Sequence, residues 1–216
     1  FDFLEKNGVK AESLIPVFPS LTFTNHYSIA TGAYARTHNI TGNSFFDKGL
    51  NKKFHYRDRK TVENPIFYKS EPMWVTAERN GIKTAAFYWV GSEAPINSYY
   101  PSIYKYYDGS VPFKSRVDSV INWLQLPEEQ RPQLIMLYFS EPDYTGHVFG
   151  TSNADLSGII LEMDTLLGYL LSEIKKLPIF SNINLFVLSD HGMVDINLDK
   201  IIILDDYISN MDNIII

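Results

Sequence analysis

Apolar positions along this chain follow two alternating patterns. Short unbroken runs lie at 13–18 (SLIPVF), 83–90 (KTAAFYWV), 133–140 (QLIMLYFS) and 184–189 (NLFVLS). Runs apolar on successive positions suit strands buried on both faces of a parallel sheet, and the last two fit that template best. Between the runs the period becomes helical. Val117, Val120, Ile121 and Leu124 recur at i, i+3, i+4 and i+7 within SRVDSVINWLQL, and EPMWVTAERNG ends at a glycine. The stretch 153–177 reads as a long amphipathic helix closed by Lys175 and Lys176, cations that suit the negative end of a helix. Strands alternating with helices predict an α/β fold: a doubly wound, mostly parallel sheet with helices on both faces, in one domain over 1–216.

In such sheets, ligands gather beyond the carboxyl ends of the strands. Three of the runs lead there into polar residues. The third opens into EPDYTGH, the fourth into DHGM, and the first into PSLTFTNH. Asp143 and His147 stand four apart, so one helical turn or tight loop brings both to one cation. Asp190 and His191 are consecutive at a strand end, beside Gly192. Either pair alone is readily a surface coincidence or a turn cap. Together, at neighbouring strand ends, they describe two sets of oxygen and nitrogen ligands, as in a two-metal site that clamps the attacking and leaving oxygens of a displacement.

The stretch FPSLTFTNHYSIATG fits that scheme. Ser20, Thr22 or Thr24 would serve as an N-cap, and Gly32 suits the left-handed position ending the helix. Beside metal ligands, Thr22 also becomes a candidate nucleophile, because coordination activates an otherwise weak hydroxyl. A helix start beside it favours an anionic phosphoryl group. Asn43, in ITGNSFFD, has an amide able to donate to a developing oxyanion, although turns use asparagine often.

Composition narrows the partners. The net charge of −6 provides no basic face for a nucleic-acid duplex. With no cysteine, disulfides and thiolate metal sites are excluded, leaving a metal to carboxylates, histidines and hydroxyls. No run of eighteen apolar residues marks a membrane span, and no signal peptide is evident. Asn39 to Thr41 form a glycosylation sequon, a match frequent by chance. The apolar run at 210–216 reads as strand-like, and both ends of the chain look cut.

The segments PSLTFTNHYSIATGAYARTHNITGNSFFD, YKYYDGSVPF, EPDYTGHVFG and SDHGM, spread in order over the chain, resemble the nucleotide pyrophosphatase/phosphodiesterase family of the alkaline phosphatase superfamily. That resemblance implies an alkaline-phosphatase-like fold and hydrolysis of phosphodiester and pyrophosphate bonds in nucleotides. It implies two zinc ions and a covalent phosphothreonine on Thr22. Asp190, His191 and Thr22 would meet one metal, Asp143 and His147 the other, and Asn43 would stabilise the oxyanion. It also places Phe23 and Tyr107 around a nucleobase and Trp89 and Glu93 at the substrate pocket. One further Asp is implied before Phe1 and one further His beyond Ile216, so a catalytic domain truncated at both ends is expected. Relatives are exported or face the outside of a membrane. Nucleotide-cleaving relatives often carry Lys before the nucleophile and Lys after the asparagine, where this chain has Leu21 and Ser44. A phospholipid or choline-phosphate diesterase of the same superfamily, and a non-catalytic nucleotide-binding relative, are the alternatives.

Overall fold

A computed structural model describes residues 1–203, 206 and 207. The apolar run expected as a strand at 210–216 lies outside the described residues. Among the described residues, eight α-helices occupy Asp2–Asn7 (α1), Thr22–Thr31 (α2), Ala35–His38 (α3), Arg59–Val62 (α4), Met73–Arg79 (α5), Phe113–Leu124 (α6), Asp143–Phe149 (α7) and Ala154–Ile174 (α8). Five strands are Ser44–Asp47 (β1), Lys52–His55 (β2), Thr84–Phe87 (β3), Ile103–Lys105 (β4) and Leu134–Leu137 (β5).

The order β4-β3-β5 makes a parallel sheet with β3 at its centre. Thr84 to Phe87 pair in register with Leu134 to Leu137, and Ala85 to Phe87 with Ile103 to Lys105. All four residues of β3 are buried, as its unbroken apolar sequence demands. Its side chains divide between two cores. Ala85 and Phe87 join Val117, Val120 and Ile121 of α6 and Leu170 and Ile174 of α8. Ala86, with Met136 of β5, joins Tyr27 and Ala30 of α2 and Trp74 and Val75 of α5. Helices thus cover both faces, as the alternation implied. Asn153 caps α8, its side-chain oxygen accepting the Asp155 N–H at 2.8 Å.

Two expected strands are not formed. The run 13–18 has no ladder: Pro16 lacks an N–H, Val17 gives its own to the Asn25 side chain, and Ile15 and Phe18 are exposed. The run 184–189 is likewise outside any ladder among the described residues, with Phe186 exposed. Conversely, β4 is a short edge strand, and β1 and β2 form an antiparallel hairpin pairing Ser44 with His55. Asp47 closes its turn by accepting the Leu50 N–H at 2.9 Å. Asn39 of the sequon is a left-handed helix cap whose amide donates to Asp47 at 2.8 Å and to the Phe67 carbonyl at 3.1 Å.

Helix α2 ends as its sequence requires, Gly32 taking φ 63° and donating to the Ser28 carbonyl at 2.8 Å. Below it, His38 is fully buried. Its Nδ1 accepts the Ile40 N–H at 3.1 Å, so the proton sits on Nε2, which lies 2.8 Å from Ser28 Oγ. Burial lowers this imidazole to about 4 from its ordinary 6.5. Because the folded value is the lower one, His38 contributes stability above the ordinary value and loses it as pH falls toward 4. Relative to His38→Gln, the wild type is therefore expected to hold a constant advantage above pH 7. That advantage should shrink by up to about 3 kcal/mol between pH 6.5 and 4. Urea midpoints of both proteins across that range check this; a gap independent of pH would contradict it.

Candidate active site

Thr22 is the first residue of α2, and no side chain caps the helix there; Leu21 occupies the N-cap. Neither Ser20, Thr22 nor Thr24 takes the capping role. Two asparagines supply the missing order. Asn25, buried one turn into the helix, reaches back to the loop before it. Its Oδ1 accepts the Val17 N–H at 2.7 Å, and its Nδ2 donates to the Leu21 and Pro19 carbonyls at 3.1 and 3.3 Å. Asn43 accepts the Phe23 N–H through Oδ1 at 3.0 Å, which turns its NH2 group away from that bond.

The ligand pairs meet beside Thr22. Helix α7 begins at Asp143, with the Glu141 carboxylate accepting the Thr145 N–H at 3.0 Å. The helical repeat then brings His147 Nε2 to 3.5 Å from Asp143 Oδ1. The SDHGM segment lies against this helix, where Gly146 leaves room for the Met193 side chain; a Cβ there would make it shift. Asp195 adds a tether, accepting from the Thr151 N–H and hydroxyl at 3.0 and 2.8 Å. Asp190 Oδ2, Asp143 Oδ1 and Thr22 Oγ1 then surround His191 Nε2 at 3.3, 3.9 and 3.5 Å.

These residues suit a divalent cation. His191 Nδ1 lies 2.9 Å from the Gly192 carbonyl, which only accepts, so Nδ1 carries a proton. Nε2 is thereby left facing the two carboxylates, where a bound cation would be shared between ring nitrogen and carboxylate oxygens. Asp143 Oδ1 is itself buried without a hydrogen-bond partner. Among the described residues no three such groups converge into a closed cage; the donors stand as adjoining pairs. Burial acts to raise the Asp190 carboxyl, but His26 and His191 outweigh it and hold the carboxyl below its ordinary range.

The candidate substrate residues fall nearby, in varied states. Phe23 packs edge-on against Phe54 and Tyr56, at 5.7 and 6.0 Å between centroids. Tyr107 is half exposed and leans on Tyr88, 5.0 Å away. Trp89 is buried behind α2, its indole N–H donating to the His26 carbonyl at 3.2 Å. Glu93 is buried and paired with Arg59, and it accepts the Tyr107 N–H at 3.0 Å. Burial acts to raise its carboxyl, opposed by Arg59. Its carboxylate thus anchors the loop that presents Tyr107.

Sequence reasoning passed over Asn25, His26 and Arg59. The first two carried a usable signal: they lie three and four positions after Thr22, the spacing of one helical turn. Arg59 carried none, since its partner is 34 residues away in sequence.

A hydroxyl-bearing helix start thus stands beside paired carboxylates and imidazoles, in a chain built on a parallel α/β sheet. The chain belongs to the type I phosphodiesterase / nucleotide pyrophosphatase family, whose model matches residues 1–216. It is 40% identical over 211 residues to human ectonucleotide pyrophosphatase/phosphodiesterase family member 1, covering 98% of this chain and 23% of that protein. To a venom phosphodiesterase of Crotalus durissus collilineatus it is 39% identical over 209 residues, covering 97% of this chain and 25% of the other. Murine ectonucleotide pyrophosphatase/phosphodiesterase 5 superimposes with a TM-score of 0.89 at 35% identity, covering 96% of this chain and 55% of that one. An inactive threonine-to-alanine variant of that murine protein, in complex with AMP, matches at the same TM-score and 34% identity. The chain therefore spans about a quarter of the curated relatives' length.

The asparagine that pins the Thr22 loop yields a prediction. Asn25→Ala removes the partner of the Val17 N–H and of two carbonyls, and should cost about 1–3 kcal/mol in urea denaturation. Limited proteolysis should then cut within 13–21 more readily. Unchanged cleavage there would mean that the loop is held by other contacts.

Proposed function

We propose that this chain carries the catalytic centre of a zinc-dependent hydrolase of phosphodiester and pyrophosphate bonds in nucleotides, acting through a covalent phosphothreonine on Thr22. One observation carries the reading: the Thr22 hydroxyl stands at an uncapped helix start, 3.5 Å from His191 Nε2 and within the cluster of Asp143, His147 and Asp190. Zinc, held by Asp190 and His191 and by Asp143 and His147, would lower the pKa of a bound hydroxyl and screen phosphoryl charge.

The residues of the chain divide the remaining work. Thr22 Oγ1 attacks phosphorus, the bond to the leaving oxygen breaks, and the threonine proton ends on the departing alcohol or phosphate. Water then attacks the phosphothreonine, restoring the hydroxyl and releasing a nucleoside monophosphate. The free N–H groups of α2 and the NH2 group of Asn43 face the charge that builds on the phosphoryl oxygens. Phe23 and Tyr107 supply aromatic faces for a base, contacts tolerant of its identity. The murine relative's AMP complex, with a threonine replaced, supports both the ligand class and the nucleophile.

A choline-ester reading needs a free anion in the pocket, and the nearest buried candidate, Glu93, is already engaged by Arg59. The names of the relatives, ecto-enzymes and venom enzymes, support an exported protein. Among the described residues no helix is long and apolar enough to cross a membrane.

In the full-length protein, Thr22→Ala is expected to reduce turnover to background while zinc binding persists; near-normal turnover would remove Thr22 as nucleophile. Asn43→Asp keeps an acceptor for the Phe23 N–H but loses the donor, and should lower kcat by about 10²–10³-fold. p-Nitrophenyl thymidine monophosphate and p-nitrophenylphosphorylcholine, assayed with zinc and after chelation, separate the substrate classes. Zinc-dependent preference for the nucleotide ester is expected. Preference for the choline ester would assign the lipid branch, and absence of turnover on both would favour a binding protein.

A further inference from the structure

We infer that His26, on the nucleophile helix, is a positioning residue for Asp190 and so for the cation site, an inference resting on the zinc reading above. His26 lies one turn beyond Thr22 and is almost wholly buried. Its Nδ1 faces two groups at once, the Thr22 carbonyl at 2.9 Å and Asp190 Oδ2 at 3.3 Å. A carbonyl and a carboxylate both only accept, so Nδ1 must carry a proton, whatever the state of Nε2. The ring cannot easily turn away. Trp89 meets it edge-on at 5.1 Å and Tyr138 at 5.2 Å, on separate elements, while the Trp89 indole holds the His26 carbonyl.

The need for such a grip follows from the fold. Asp190 and His191 follow a segment outside any ladder among the described residues, so no neighbouring strand fixes their direction. The contacts of Met193 with Gly146 and of Asp195 with Thr151 hold the chain beyond the pair, against α7. His26 instead touches Asp190 itself, at the same oxygen that faces His191 Nε2. It ties that carboxylate to the helix bearing Thr22, so nucleophile and ligand keep one register. Outer partners of this kind orient ligand carboxylates, and their loss typically weakens metal binding by about 10–100-fold.

The test compares His26→Leu with His26→Asn in the full-length protein, by competition with a chromophoric chelator for zinc. Asparagine places an NH2 donor where Nδ1 stands; leucine fills similar space without one. His26→Leu is expected to weaken zinc binding by about 10–100-fold at an unchanged circular dichroism spectrum, and His26→Asn to recover most of it. Equal zinc affinity in wild type and His26→Leu would overturn the positioning role alone. Equal losses in both variants would overturn it too, assigning His26 to packing between Trp89 and Tyr138. A wild type that takes up no zinc would overturn the zinc reading and this inference together.

Discussion

A helix start without a side-chain cap leaves its first N–H groups short of partners, and α2 is kept in that condition by its surroundings. Asn25 fastens the preceding loop from inside the helix, and Asn43 takes one N–H from across the hairpin. These bonds replace the fixing effect of a cap without filling the space in front of Thr22. The second turn, with Asn25, His26 and Tyr27 all buried, gives the half-buried Thr22 and Phe23 of the first turn a rigid base. Local order and open chemistry are thereby separated along three residues of sequence.

The opposing wall has the complementary problem. Asp190 and His191 approach on an extended segment whose backbone finds no ladder among the described residues. Side chains hold it in place: the two bonds of Asp195 to Thr151 and the contact of Asp190 with His26. Such point contacts fix direction less cooperatively than a sheet does, since each can open by itself.

Much of this was legible from residue order, and the remainder failed for identifiable reasons. β3, β5, α6 and α8 followed from periodicity because their burial is decided by sequence neighbours. Gly32 was legible because few other residues accept a left-handed cap. The runs 13–18 and 184–189 misled because apolar content reports burial or exposure of a surface, and says nothing of whether a ladder partner is present. The hairpin escaped because its strands, SFFD and KKFH, are too short for alternation to register. At the site, only Asp143 and His147 follow a formed strand, β5; Thr22, Asp190 and His191 were singled out by runs that form no ladder among the described residues. The contact of His26 with Asp190 and the pairing of Glu93 with Arg59 were hidden, because each partner is supplied by tertiary contact.

Charge explains how these parts depend on one another under the proposed function. A phosphodiester is an anion, and the carboxylates of Asp143 and Asp190 lie with Thr22 around His191. Leu21, exposed at the N-cap, and Ser44, exposed at the start of β1, stand where lysines would offset them. The nearby guanidinium of Arg59 is paired with Glu63 and Glu93. The starts of α2 and α7 each bring partial positive charge, a fraction of an elementary charge. The two carboxylates oppose an approaching anion. Cations bound by the same carboxylates reverse that sign. Metal and phosphate binding are then one coupled event. Under that reading, Leu21 and Ser44 in place of lysines would favour simple nucleotide diesters over a nucleoside triphosphate.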